Sequence, residues 1–202
     1  MPKSNYYPPK YLPDWSPPVP PASYEECPNH SDLYLLRDAA ADERGAINDY
    51  LACALDTTGF SDTFLDAAED EMQHFAKTMQ LISCLDPIQA KKLEDEKLNS
   101  LLMSRQAAKP QSISKTSPAP KEEDGKVPPP SKSQLPAIRC LTKAIQDELR
   151  AINKYQHYMN TAEDSQVRAL FCELMNEEKE HVAEFTAALF TLTHEPLPTE
   201  TD

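Results

Sequence analysis

The sequence predicts an all-α fold, a four-helix bundle assembled from two homologous helix hairpins. Apolar residues recur at three-and-four spacing in two blocks, each block folds back at a short turn, and the two blocks repeat each other. Three glycines against nineteen prolines, with no Gly-x-x-x-x-Gly-Lys or Gly-x-Gly-x-x-Gly run, exclude the phosphate loops of nucleotide-binding α/β folds. A chain of 202 residues suffices for one ordinary domain and is short for two.

Residues 1–28 hold nine prolines together with Tyr6, Tyr7, Tyr11, Tyr24 and Trp15, a composition that favours extended chain over a packed element. This segment reads as a flexible arm whose aromatic content suits docking to a protein partner. The bundle domain follows over 29–190. Its first helix opens near Ser31 as N-cap, carries Leu33, Leu36, Ala40, Ile47, Tyr50 and Leu51, and stops at Thr57-Thr58-Gly59. Ser61 is placed to cap a second helix through Phe64, Leu65, Ala68, Met72, Phe75 and Met79. These make the first hairpin, 31–85.

Asp86-Pro87 can cap and open a weaker helix over 87–106, striped by Leu98, Leu101 and Leu102. Residues 107–135, with six prolines, five lysines and almost no large apolar groups, cannot offset their own ordering entropy and read as disordered linker. The whole connection, 86–135, is long enough to run along the bundle or into a neighbouring subunit, which allows a homodimer with exchanged hairpins. Pro136 then opens a helix through Ile138, Leu141, Ile145, Leu149, Ile152, Tyr155 and Met159. Its partner carries Val167, Leu170, Phe171, Leu174, Met175, Val182, Phe185 and Leu189. This second hairpin spans 136–190, and 191–202 is a tail.

A net charge of -13 repels nucleic acid and anionic membrane surfaces and attracts cations. The five cysteines are odd in number and form no Cys-x-x-Cys pair, the pattern of free thiols in a reducing compartment. No apolar run approaches the roughly 20 residues of a spanning helix, and the N-terminus lacks the apolar centre of a signal peptide. The expectation is a cytoplasmic protein with neither nucleic acid nor membrane as partner.

The chemistry lies in the repeat. Glu43 to Tyr50 aligns with Glu148 to Tyr155, and Phe64 to His74 aligns with Phe171 to His181, so that Glu71-x-x-His74 is matched by Glu178-x-x-His181. A glutamate and a histidine three residues apart project from one helix face and can ligate the same or adjacent ions. Glu43 lies sixteen residues before Gly59, and Glu71 and His74 lie twelve and fifteen after it. Glu148 lies fifteen before Glu163, and Glu178 and His181 lie fifteen and eighteen after. At about 1.5 Å rise per residue all six donors reach one level. Four carboxylates balance two divalent first-row ions, and neutral imidazoles leave coordination positions open.

Tyr50 and Tyr155 follow Glu43 and Glu148 by seven residues, on the same face two turns on. They are candidates for hydrogen bonds to ligand carboxylates or for redox-active phenols, and equally for core filling. His30, His157 and His194 lack such partners and read as non-ligands, while Asp42, Asp147, Glu177 and Glu180 read as solvated surface charge.

The runs Asp-Glu-Leu-Arg-Ala-Ile-Asn-Lys-Tyr and Asn-Glu-Glu-Lys-Glu-His-Val-Ala-Glu-Phe resemble the rubrerythrin-like members of the ferritin-like superfamily of di-iron carboxylate proteins. The likeness covers about 31–85 and 136–190. It implies a ferritin-like bundle with Glu43, Glu71, His74, Glu148, Glu178 and His181 as ligands of two Fe ions, with Mn as the alternative. It implies a non-haem di-iron oxidoreductase that oxidises Fe²⁺ or reduces peroxide or dioxygen. Because no rubredoxin-type Cys-x-x-Cys pair is present, the electron donor would be external. Rubrerythrins tend to carry a further glutamate one turn before the third-helix ligand, where this chain has Ile145. The competing expectations are a manganese catalase-like disproportionation of peroxide and a non-catalytic adaptor anchored by residues 1–28.

Overall fold

A computed structural model describes residues 29–98 and 130–193. The arm, the linker up to residue 129 and the tail from residue 194 lie outside the described residues. So do Cys27, His194 and residues 99–106 of the expected third helix, which within the described residues already ends at Asp95, with Lys97 at φ 59°. All five described elements are helices: α1 (Ser31–Asp56), α2 (Ser61–Leu85), α3 (Pro87–Asp95), α4 (Leu135–Thr161) and α5 (Ser165–Thr193).

Helices α1 and α2 pair along their length, as do α4 and α5, and the hairpins meet through α1 against α4 and α2 against α5. The result is a helical bundle. Each long helix owes its orientation to one buried stripe. In α1 it runs Leu33, Leu36, Ala40, Glu43, Ile47, Tyr50 and Ala54, and in α4 it runs Leu141, Ala144, Glu148, Tyr155 and Tyr158. The glutamates thus occupy core register, in line with the apolar positions before and after them.

The core is split in two by this polar level. At one end Leu33, Leu36, Ile82, Val167, Phe171 and Leu174 pack together. At the other end Ala54, Phe64, Leu141, Ala144 and Phe185 do so, with Phe64 stacked on Phe185 at 5.6 Å between ring centres. Each fully buried Phe or Leu contributes about 1.5–3 kcal/mol, so the two apolar ends hold the costly level between them in place.

The turns are built by specific caps. Gly59 adopts φ 92° in the α1–α2 turn, a conformation that disfavours any side chain. Asp86 accepts hydrogen bonds from the backbone N–H groups of Ile88 and Gln89, which together with Pro87 starts α3 as expected. Asp164 accepts from Gln166 and Val167 at the head of α5. Asp32, fully buried, accepts from the backbone of Glu163 and Asp164 and so ties the start of the first hairpin to the turn of the second.

Four further expectations are corrected. The N-cap of α1 is His30, whose Nδ1 accepts from the Asp32 N–H, and the N-cap of α2 is Phe60, with no side-chain cap; the serines begin the helices instead. Likewise α4 starts at Leu135, one residue before Pro136. The free-thiol reading fails for two residues: Cys53 on α1 and Cys140 on α4 form a disulfide, Cα–Cα 5.8 Å, that links the two hairpins. Their 87-residue separation hid the pair from any local motif. Cys84 and Cys172 are free. Among the described residues no helix is long and apolar enough to cross a membrane.

Candidate metal centre

The six predicted donors converge. Glu43, Glu71, His74 and Glu178 place one donor atom each within 4.8 Å of one another, and so do Glu71, Glu148, Glu178 and His181. The two sets share Glu71 and Glu178. These carboxylates divide their oxygens between the imidazoles: Glu71 Oε2 lies 3.1 Å from His74 Nδ1 and Oε1 lies 3.4 Å from His181 Nδ1. For Glu178, Oε1 is 3.3 Å from His74 Nδ1 and Oε2 is 3.0 Å from His181 Nδ1. Glu43 closes the His74 side at 3.8 Å and Glu148 the His181 side at 3.7 Å. The imidazole centres are 6.0 Å apart.

The histidines are fixed from behind. His74 Nε2 lies 2.7 Å from Glu177 of the opposite hairpin, and His181 Nε2 lies 3.6 Å from Asp70. Both rings therefore present Nδ1 to the cluster, with a carboxylate orienting the far nitrogen, the arrangement that raises the basicity of a metal-binding imidazole. Glu177, read from sequence as solvated, is half-buried and engaged, and Lys77 holds it at 3.0 Å. The repeat carried the signal: Asp70 and Glu177 occupy the same position, immediately before the matched glutamates.

Tyr50 and Tyr155 are both core residues and hydrogen-bond donors. The Tyr50 hydroxyl donates to Glu148 and the Tyr155 hydroxyl to Glu43, each across the hairpin boundary. Burial and the adjacent carboxylates push both phenols well above their ordinary range, so each stays protonated. Of the remaining candidates, Asp42 and Asp147 pair with Lys154 and Lys143. His30 caps a helix and His157 lies against Tyr158, both away from the cluster.

Without counter-ions this level is electrostatically costly. Burial, reinforced by Glu71, raises Glu43 well above the carboxylate range, and burial lifts Glu148 to about 7. Burial works against Glu71 too, but the neighbouring His181 and His74 imidazoles prevail and hold it low. Burial opposes protonation of the imidazoles, yet the surrounding carboxylates win and raise both. Glu177 is lowered to about 2, burial being outweighed by His74 and Lys77. The metal-free cluster thus retains protons where divalent ions would otherwise balance charge.

The donors fit such ions. Glu71 Oε1 and Glu178 Oε1 are buried with no hydrogen-bond partner, both on the carboxylates that the two sets share. An unpaired buried carboxylate oxygen costs about 1–3 kcal/mol or more, and metal coordination is the interaction that removes the penalty. Mixed imidazole and carboxylate donors suit first-row ions such as iron or manganese. The bundle and its site define a helical protein with a buried carboxylate–histidine cluster able to hold metal. No family model matches the chain, and neither does any curated protein or solved structure.

Proposed function

We propose that the chain is a non-haem di-iron oxidoreductase of the ferritin-like, rubrerythrin-like kind, oxidising Fe²⁺ or reducing peroxide or dioxygen with electrons from an external donor. One observation carries the reading: two four-donor sets overlap through Glu71 and Glu178, whose oxygens are split between His74 and His181. A mononuclear site has no use for the second set, and a merely structural core has no use for either.

Glu43 and His74 would serve one ion, Glu148 and His181 the other, and Glu71 and Glu178 both. Bound iron would supply the electron-transfer chemistry that none of these side chains provides alone. The chain's own contribution is positional. Tyr50 and Tyr155 hold the outer carboxylates in orientation and keep a proton on each phenol beside the cluster. Glu177 and Asp70 fix the tautomer and direction of the imidazoles. The apolar ends exclude bulk water above and below.

The test is anaerobic titration with Fe²⁺ followed by peroxide and an electron donor. Two equivalents bound per chain, with metal-dependent peroxide consumption, are expected. Folded protein that binds no iron, or binds it and consumes neither peroxide nor dioxygen, overturns the reading. Metal analysis of protein from its native host separates iron from manganese.

A further inference from the structure

Among the described residues, the buried cluster borders a surface groove. A cavity of about 460 Å³ opens between α1 and α4, and its floor includes Glu43, Glu71, Glu148, Glu178 and Tyr50. Neither imidazole lines it, and Tyr155 does not either. The histidine side is closed by Glu177 and Asp70. A molecule entering here therefore meets the carboxylate face opposite the imidazoles and touches one tyrosine of the matched pair.

The lip has its own chemistry. Lys143 spans the groove from Asp147 on its own helix to Asp49 on α1, 2.6 Å away. Lys154 spans it again to Asp38 at 2.6 Å and to Asp42. Arg150 pairs with Asp147 at 3.0 Å. Among the lining residues three cations, Lys143, Arg150 and Lys154, stand against three aspartates, Asp42, Asp49 and Asp147. On a chain of net charge -13 this is a locally neutral rim. The ammonium groups bridging the entrance are each balanced by aspartates, and anions that pass them face four buried carboxylates.

The repeat breaks at this place. Gly45 aligns with Arg150, and both line the groove. A Cβ on Gly45 would meet no atom within 4 Å, so close packing does not require glycine there. Glycine within a helix is destabilising relative to alanine, and what it leaves here is open space in the groove.

We propose that this α1–α4 groove is the substrate entrance, that it admits small uncharged molecules of the peroxide or dioxygen class and not small anions, and that Gly45 is its gatekeeping position. The proposal rests on the oxidoreductase reading above for its substrate class, but its geometry is testable without metal.

The metal-free full chain is labelled at alanine methyls, and relaxation by dissolved dioxygen is read at Ala46 and Ala151, which line the groove, with buried Ala137 as control. Wild type should show strong oxygen contact at Ala46 and Ala151. Gly45→Phe, which fills the groove, should lose it several-fold, and Gly45→Ala should retain it. Unchanged contact in a folded Gly45→Phe protein, or none in wild type, overturns the entrance.

In Fe²⁺-loaded protein, nitric oxide should associate at least tenfold faster than azide, and Gly45→Phe should slow nitric oxide by a similar factor at unchanged iron content. Equal rates for the two probes overturn the charge selection. A chain that takes up no iron sinks the oxidoreductase reading while the methyl experiment still decides the groove. Loss of peroxide consumption only in Gly45→Phe supports both.

Discussion

Because Glu71 and Glu178 belong to both donor sets while Glu43 and Glu148 belong to one each, charge-removing variants should subtract metal in a fixed pattern. Glu43→Gln should lower the content from two ions to one. The double variant Glu71→Gln, Glu178→Gln should abolish both. Free metal at 100 times its dissociation constant stabilises a folded chain by about 2.7 kcal/mol per site, so two sites give about 5.4 kcal/mol. At about 2–4 °C per kcal/mol for a domain of this size, wild type should gain roughly 10–20 °C in Tm on metal addition. Glu43→Gln should gain about half as much, and the double variant should gain nothing. Metal analysis after desalting and paired thermal scans with and without Fe²⁺ or Mn²⁺ read both quantities. A Glu43→Gln protein that loses both ions, or a double variant that keeps one, refutes the shared-carboxylate arrangement.

Gly45→Ala should raise stability by about 1 kcal/mol, because the helix gains a residue of higher propensity into open space; an unchanged or lower Tm contradicts the geometry at that position. Reducing Cys53–Cys140 opens an 87-residue loop and should cost about 4–5 kcal/mol by chain entropy, with unreduced peptide mapping as the check that the linked peptide exists. The metal-free protein should lose stability as pH rises from about 4.5 to 7. Glu148, raised to about 7 in the fold, binds its proton more tightly there than in the unfolded chain, and Glu43 and the two imidazoles shift in the same direction. Metal should reverse the trend, since ligands must be unprotonated to bind; denaturant melts of both forms at pH 5.0 and 7.5 measure the two slopes.

What could be read from the residues was whatever a single helix determines. The stripe through Ala40, Glu43 and Ile47 puts a glutamate in core register with no knowledge of its neighbours, and the distances from Gly59 and Glu163 bring six donors to one level. What could not be read depends on how the hairpins dock. Tyr50 shares a face with Glu43, yet its hydroxyl reaches Glu148, because α4 packs against that face. The Cys53–Cys140 pairing depends on the same contact. Glu177 looked solvated since it stands beside its helix's own ligand face, and only α2 approaching α5 turns it onto His74. The serines at positions 31 and 61 drew the caps one residue too far, the ordinary ambiguity of a helix end.

The same crossing pattern explains why the repeat is informative. Tyr50 serves Glu148, Tyr155 serves Glu43, Glu177 serves His74 and Asp70 faces His181, so each hairpin supplies supporting groups for the other's donors. One hairpin alone would bury one imidazole and two carboxylates with half of their partners missing, at several kcal/mol per uncompensated charge. The polar level therefore penalises any docking of the hairpins other than the matched one. That is a specificity role for a layer that in isolation only destabilises, and it makes metal affinity and correct hairpin docking one coupled equilibrium.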